Sequence, residues 1–136
     1  MLDSNVVASP ASRLAQAGAA AYVIWALLHF KASWVVYQLG QSMPEGMAQG
    51  RVLQDAWNLL WFSIIALVAA VGMNWRNDVR GWWINLVVVS VADLGFIFYV
   101  LMPGHVPMWP GLAGPLFWAL GLLLSSLALR RAADAA

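Results

Sequence analysis

The sequence predicts an all-α integral membrane protein, a single four-helix bundle over residues 1–136. Hydrophobic residues make up 62% of the chain and charged residues 10%, whereas soluble domains have roughly 45–50% and about 25%. Four apolar stretches are each long enough for a bilayer span, which needs roughly 20 residues. These stretches are continuous rather than alternating, so we expect helices and not the strands of a barrel.

The first two spans are predicted at residues 14–38 and 52–73. The first follows Arg13 and continues past Leu28 without a small-residue cleavage site, so we expect it to stay in the protein rather than to be removed as a signal peptide. Pro44 and Gly46 interrupt the linker between the two spans, because both residue types break regular structure.

The third and fourth spans are predicted at residues 82–102 and 112–129. An Asn77–Asp78 turn precedes the third span, and a linker rich in Pro and Gly follows it. Gly121 and Ser125 form a small-xxx-small pair, which permits close contact between helices. Tryptophans near the predicted span ends are typical of the interfacial aromatic belt: Trp75, Trp82, Trp83, Trp109 and Trp118.

The distribution of cations predicts the orientation of the bundle. One side carries five arginines, at positions 13, 76, 80, 130 and 131, whereas the other side carries Arg51 with Lys31 pointing toward it. Positive charge collects on the cytoplasmic side of membrane proteins. We therefore expect both termini in the cytoplasm, the linkers 39–51 and 103–111 outside, and a multi-pass location in the cell inner membrane.

Polar residues in the spans lie at matching depths. His29 and Asp93 are each about nine residues from the outer end of their span, roughly 13 Å deep. Asn58 lies roughly 9 Å deep, with Asp55 one turn higher, and Lys31 lies near the same level. Because intramembrane polar groups usually face a protein interior or a cavity, we expect these side chains to converge.

Helical spacing sorts the outer polar residues into three stripes, whereas the inner half is expected to pack by apolar contacts alone. His29, Ser33 and Tyr37 share one face of the first span, and Asp55 and Asn58 share a face of the second. The third stripe consists of Asn85, Val89, Asp93 and Phe96. The sequence thus predicts a pocket with a polar bottom, open to the outer leaflet, with Tyr99 toward its rim and walls of Trp57, Trp61, Phe62 and Phe96.

Each of these residues has more than one interpretation. Asp93 has three interpretations. It is a structural partner of His29 or Lys31, it is a functional carboxylate that acts as acid, base or proton carrier, or it is protonated and neutral. Lys31 is a cation that extends toward the interface or a catalytic group. Asp55 suits the positive end of a helix dipole, whereas a buried Asn58 must find hydrogen-bond partners.

The sequence shows none of the patterns that several kinds of functional site require. The chain has no cysteine, which excludes disulfides, thiolate metal sites and thiol nucleophiles. His29 lies deep in a span and His105 in a loop, so the two histidines form no pattern for a metal or for a bis-histidine haem. Nucleotide-binding loops are absent. A net charge of +1 does not suggest nucleic-acid binding.

Three features together resemble styrene oxide isomerase, a small four-span membrane enzyme. Segment 44–48, Pro-Glu-Gly-Met-Ala, leads into a span carrying Asn58; a basic hinge follows at 76–80; and segment 93–96, Asp-Leu-Gly-Phe, lies midway along the third span. The resemblance covers roughly residues 44–128, without the family's long outer insertion before the fourth span. It implies a four-helix scaffold, conversion of aromatic epoxides to aldehydes, and a trimer with haem b between subunits.

This chain departs from that family at its functional positions. Asn58 matches the family's asparagine, but Val52 stands where the haem-ligating histidine is expected. Asp93 replaces a second asparagine, and Ile97 stands at the position of a pocket tyrosine. These departures argue against haem, so the cofactor is left open. The scaffold and a pocket for an apolar ligand are what the resemblance still implies.

Three functions are compatible with these patterns. The first is a membrane protein that binds a hydrophobic small molecule, an isomerase of an apolar or aromatic substrate, because no cofactor or nucleophile pattern is present. Asp93 would be its acid or base, His29 the partner of Asp93, and Asn58 a hydrogen-bonding group that orients the substrate. The other substrate-binding candidates are Asp55, Trp57, Trp61, Phe62, Phe96, Tyr99 and Lys31. A non-enzymatic accessory subunit and a small proton-coupled transporter are the alternatives. We expect a homo-oligomer among membrane lipids, with no nucleic-acid partner.

Overall fold

The computed structural model describes residues 10–135 and is helical almost throughout. The helices are α1 (Pro10–Ser42), α2 (Met47–Gly72), α3 (Val79–Phe96), α4 (Met108–Gly111) and α5 (Ala113–Asp134). A 3-10 turn, Asn74–Arg76, joins α2 to α3, and a π-helical turn, Ile97–Leu101, extends α3. No strand occurs in residues 10–135, so the prediction of an all-α fold is confirmed.

Four helices are long and apolar enough to cross a membrane, as the sequence predicts. They cover Ala11–Ser42, Met47–Arg76, Val79–Leu101 and Ala113–Asp134. All four extend beyond the predicted spans at one end or both, because apolar patterning marks only the part of a helix that suits hydrocarbon. The Ala-rich end of the chain stays helical to Asp134, since alanine has the strongest intrinsic helix propensity.

The corner between α2 and α3 has the predicted turn at its centre. Asn77 adopts a left-handed conformation with φ of 59°, which asparagine tolerates better than most residues. Asp78 caps α3 by accepting a hydrogen bond from the backbone N–H of Arg80 at 2.9 Å. The Arg80 side chain also donates to this carboxylate, at 2.7 Å, and lowers the pKa of Asp78.

Helix α1 lies at the centre of the bundle, in contact with α2 and α5 along their lengths. Small residues permit this proximity. A Cβ atom on Gly18 would lie 3.0 Å from the backbone nitrogen of Ser125, and one on Gly121 would lie 2.8 Å from the Tyr22 ring. The predicted close contact at Gly121 and Ser125 is therefore confirmed, with α1 as the partner helix.

The core combines two aromatic side chains with small ones. Tyr22 and Trp25 of α1 pack with a cluster of smaller buried residues from three helices: Ala26, Ala66, Ala70 and Val89. Large apolar side chains instead cover the outside of the long helices, for example Leu27, Val68, Val91 and Leu123. Such an extensive apolar surface is far larger than a soluble monomer exposes.

The half of the bundle predicted to be the inner one also contains buried polar side chains. The prediction that it packs by apolar contacts alone is therefore wrong. Asn74 and Asn85 are both buried, and their side-chain amides are 2.9 Å apart. With its amide nitrogen turned toward the carbonyls of Ala69 and Gly81, Asn74 donates to them at 3.1 and 3.2 Å. These polar contacts join the end of α2 to the start of α3, where backbone groups have no partners within their own helix.

Candidate functional site

The candidate site begins with one buried face of α3. Gly81, Asn85, Val89 and Asp93 recur every four residues and are the buried residues of this helix. This spacing places them on one side of an α-helix. The structure therefore confirms the stripe predicted from Asn85, Val89 and Asp93, while Phe96, the fourth predicted member, is half-buried.

Asp93 is fully buried and contacts two residues of α1. The indole Nε1 of Trp25 donates to Asp93 Oδ2 at 2.9 Å. Nε2 of His29 lies 3.3 Å from Asp93 Oδ1, which is an ion-pair distance. We call these three residues the Trp25–His29–Asp93 cluster. The expected convergence of α1 and α3 is present.

The second nitrogen of His29 contacts the backbone of α1. Nδ1 lies 2.9 Å from the carbonyl oxygen of Trp25, and a carbonyl can only accept, so Nδ1 carries a proton. The other nitrogen faces Oδ1, which has no hydrogen-bond partner in the described chain. Nε2 therefore faces a buried carboxyl oxygen at 3.3 Å.

Ring packing and a glycine close the cluster on its other sides. The rings of Trp25 and His29 stack with centroids 3.7 Å apart. A Cβ atom on Gly114 would lie 3.0 Å from His29 Cε1 and 3.7 Å from Asp93 Oδ1. Glycine thus lets the first turn of α5 approach the pair, so α5 completes the enclosure.

The backbone changes its geometry one turn after Asp93. The N–H of Ile97 donates to the carbonyls of both Asp93 and Leu94, and the π-helical turn follows. Isolated π-helical turns within α-helices are frequent at functional sites. The carboxylate is therefore held just before a local irregularity of α3.

A groove lies between α1 and α2, toward the end of the bundle that carries the α1–α2 linker. It offers about 520 Å³, within the range of small-molecule sites, and is lined by Phe30, Ser33, Trp34, Tyr37, Leu53, Ala56, Trp57 and Leu60. We call it the α1–α2 groove. Ser33 Oγ donates to the carbonyl of Ala56 at 2.7 Å, and both residues line the groove.

The groove contains only one of the predicted pocket walls, Trp57. Trp61 packs edge-on against Trp57, with ring centroids 5.8 Å apart, and is itself 45% exposed. Phe62 and Phe96 are half-buried outside the groove, and Tyr99 is exposed. The structure thus brings aromatic side chains together between α1 and α2, and a role in substrate binding for each of them stays a prediction.

The polar residues of α2 do not join the cluster. Asp55 and Asn58 are exposed, as is Lys31 of α1, so the expectation of a buried Asn58 is wrong. The face of α2 turned toward α1 carries Ala56 instead, and Asn58 lies two residues, or about 200°, further around the helix. The polar side chains of α1 and α3 therefore converge as expected, whereas those of α2 do not join them.

Sequence analysis missed one residue of the cluster, Trp25, and one residue packed against it, Gly114. Trp25 lies in the middle of its span, away from the aromatic belt, and a buried indole N–H usually needs an acceptor. The mid-span position of Trp25 and the need of its indole for an acceptor could have identified it as a partner of a buried polar residue. Gly114 follows a Pro-rich linker and carries no comparable signal.

The side chains present do not fit a haem or a metal ion. His29 has one ring nitrogen against a carbonyl and the other against Asp93, so neither is free to ligate iron. His105 is exposed in the outer loop. Among the described residues, no three His, Cys, Asp or Glu side chains form a group that could hold a metal.

Comparison of the chain with models of known protein families, with curated proteins and with solved structures finds no match. The resemblance to styrene oxide isomerase therefore stays a prediction. The candidate site has to be interpreted from its own geometry.

Proposed function

We propose that this is a multi-pass protein of the cell inner membrane with both termini in the cytoplasm. Four helices of spanning length and an apolar outer surface support membrane insertion. The orientation is supported by exposed arginines that the alternating helices bring to one end: Arg13, Arg76, Arg80, Arg130 and Arg131.

We propose further that the protein binds a hydrophobic small molecule from the outer leaflet in the α1–α2 groove. The groove is lined mostly by apolar and aromatic side chains, with few polar atoms, as small-molecule sites usually are. The stacked rings of Trp34 and Tyr37, 5.5 Å apart, form part of its wall. Offset rings of this kind favour a planar or aromatic ligand.

The reaction we propose is an isomerisation in which His29 and Asp93 move a proton. A base takes a proton from one atom of the substrate and returns one to another atom, so no cofactor is consumed. The distance of 3.3 Å between Nε2 and Oδ1 supports this proposal, since an imidazole and a carboxyl group side by side can serve as acid and base. Ser33 lies one turn, about 6 Å, from His29 along α1, so the substrate reaches the pair once the Ser33–Ala56 contact opens.

Deuterium incorporation tests the isomerisation. The protein would be purified in mild detergent, its retained small molecules identified by mass spectrometry, and each incubated with enzyme in D₂O. We expect solvent deuterium in the isomerised product with the wild type and with the control Asp134→Asn. We expect none with Asp93→Asn, whose amide still accepts from Trp25 and donates to His29. Incorporation at the wild-type rate by Asp93→Asn would contradict the proposal.

Proton-coupled transport is the second candidate, because buried polar atoms also occur in the inner half. Tyr22 and Asn85 are both fully buried, and polar side chains buried within spans often line proton pathways. Vesicles containing the protein and a pH-sensitive dye separate the candidates. A transporter moves protons across the membrane when the retained molecule is added, whereas an isomerase does not. A stoichiometric protein partner in the purified material would instead indicate an accessory subunit.

A further inference from the structure

Three polar side chains of the outer half point away from the bundle. Lys31 of α1 and Asp55 and Asn58 of α2 are all exposed, and the two charged groups form no ion pair within residues 10–135. Arg51, one turn from Asp55, donates to Gln54 instead, at 2.9 Å. Exposed groups of this kind within a span are unfavourable toward lipid, and contact with another protein surface would remove that cost.

One hydrogen bond fixes the relative depth of these residues. Ser33 Oγ donates to the carbonyl of Ala56, so these two residues lie at the same level of two antiparallel helices. Lys31 and Asn58 each lie two residues, about 3 Å, further in, which puts them at one depth. Asp55 is about 4.5 Å further out than Asn58, within reach of a lysine side chain extended toward the interface.

Contact between Lys31 and the polar residues of α2 within one chain is prevented by helix geometry. Ser33 faces α2, and Lys31 is displaced from it by about 200° around α1. Asn58 is displaced by the same angle from Ala56, which faces α1. Lys31 and Asn58 therefore lie on opposite outer surfaces of one chain at matched depth, and Asp55 forms no ion pair with Lys31 within residues 10–135.

We propose that the outer half of α2 is an interface with a second copy of this chain, in which Lys31 of one copy binds Asp55 and Asn58 of its neighbour. Rotation about an axis along the membrane normal preserves depth, so groups at one level in a single chain meet in adjacent copies. The charges are complementary and the contact is head-to-tail, as in a ring. This inference rests on the proposed membrane placement and is independent of the proposed isomerisation.

Cysteine cross-linking tests the interface, because the chain has no native cysteine. Val35 and Gln54 are exposed and lie one turn outward from Lys31 and Asn58, so replacing them leaves the proposed contacts intact. Differently tagged Val35→Cys and Gln54→Cys copies would be expressed together and oxidised in membranes. We expect a disulfide-linked heterodimer, and none from Val35→Cys paired with Leu116→Cys on α5.

Charge reversal in the same assay identifies the residues that hold the copies together. Asp55→Lys should lower the yield of heterodimer at least several-fold, and addition of Lys31→Asp should restore it. The proposal is overturned if the heterodimer is absent although both copies insert at wild-type levels. It is also overturned if Val35→Cys alone gives the same dimer, if Asp55→Lys has no effect, or if the second reversal fails to restore the yield. The deuterium assay does not depend on these outcomes, so the two proposals fail separately.

Discussion

Replacement of Trp25 by phenylalanine isolates the indole–carboxylate bond on which the buried site depends. Phenylalanine keeps an aromatic ring against His29 but removes the N–H that donates to Asp93 Oδ2 at 2.9 Å. Since Asp93 is fully buried, bulk solvent does not replace the lost donor. An acceptor left unsatisfied in this way costs about 1–3 kcal/mol.

The smaller ring adds a packing cost. A phenyl group is ~40 Å³ smaller than an indole, which at ~24 cal/mol per Å³ of cavity corresponds to about 1 kcal/mol. We therefore expect Trp25→Phe to lower the free energy of unfolding by about 2–4 kcal/mol. Unfolding by SDS titration in mixed micelles, followed by far-UV circular dichroism, measures this difference.

A matched substitution controls for the general effect of losing an indole. Trp83 is 57% exposed on α3, so Trp83→Phe should change stability by no more than about 0.5 kcal/mol. If Trp25→Phe costs no more than Trp83→Phe, the Trp25–Asp93 bond does not stabilise the bundle. Our reasoning about the cluster would then be wrong.

Two further predictions concern a helix contact and the α2–α3 corner. Gly121→Ala should destabilise the protein by about 1–3 kcal/mol through overpacking, because the new methyl group meets the Tyr22 ring. Gly95→Ala should not destabilise the protein, because its methyl group meets nothing within 4 Å. If both variants lower the melting temperature equally, the contact between Gly121 and Tyr22 is refuted. Asp78 has a lowered pKa through Arg80, so its contribution is present above the ordinary pKa of aspartate and is lost as pH falls through the lowered value. Melting temperatures between neutral and acidic pH should therefore fall less for Asp78→Asn than for the wild type, and identical pH profiles would count against this interaction.

The helices and the pairing of His29 with Asp93 were predictable from sequence because both follow from simple periodicities. Continuous apolar stretches locate the helices, and the rise of 1.5 Å per residue places His29 and Asp93 at one depth. The four-residue spacing on α3 also identifies its buried face. None of these inferences requires knowledge of which helices are neighbours.

The errors concern the rotation of α2 and the position of α5, which periodicity does not specify. Alanine and serine form the face of α2 turned to the core, so the helices approach closely there and Asn58 is left outside. Hydropathy favours a buried Asn58, because polar residues within a span usually face a protein interior. The contact between Asn74 and Asn85 was not predicted, because Asn74 lies in a predicted linker.

Solid-state NMR offers the most direct test of the buried pair, because the chain has only two histidines. In protein labelled with ¹⁵N-histidine and ¹³C-aspartate, we expect dipolar dephasing of one histidine Nε2 by an aspartate carboxyl carbon. The separation of 3.3 Å between His29 Nε2 and Asp93 Oδ1 requires this signal, and Asp93→Asn should abolish it. Absence of dephasing in the wild type, or dephasing that survives in Asp93→Asn, would contradict the account.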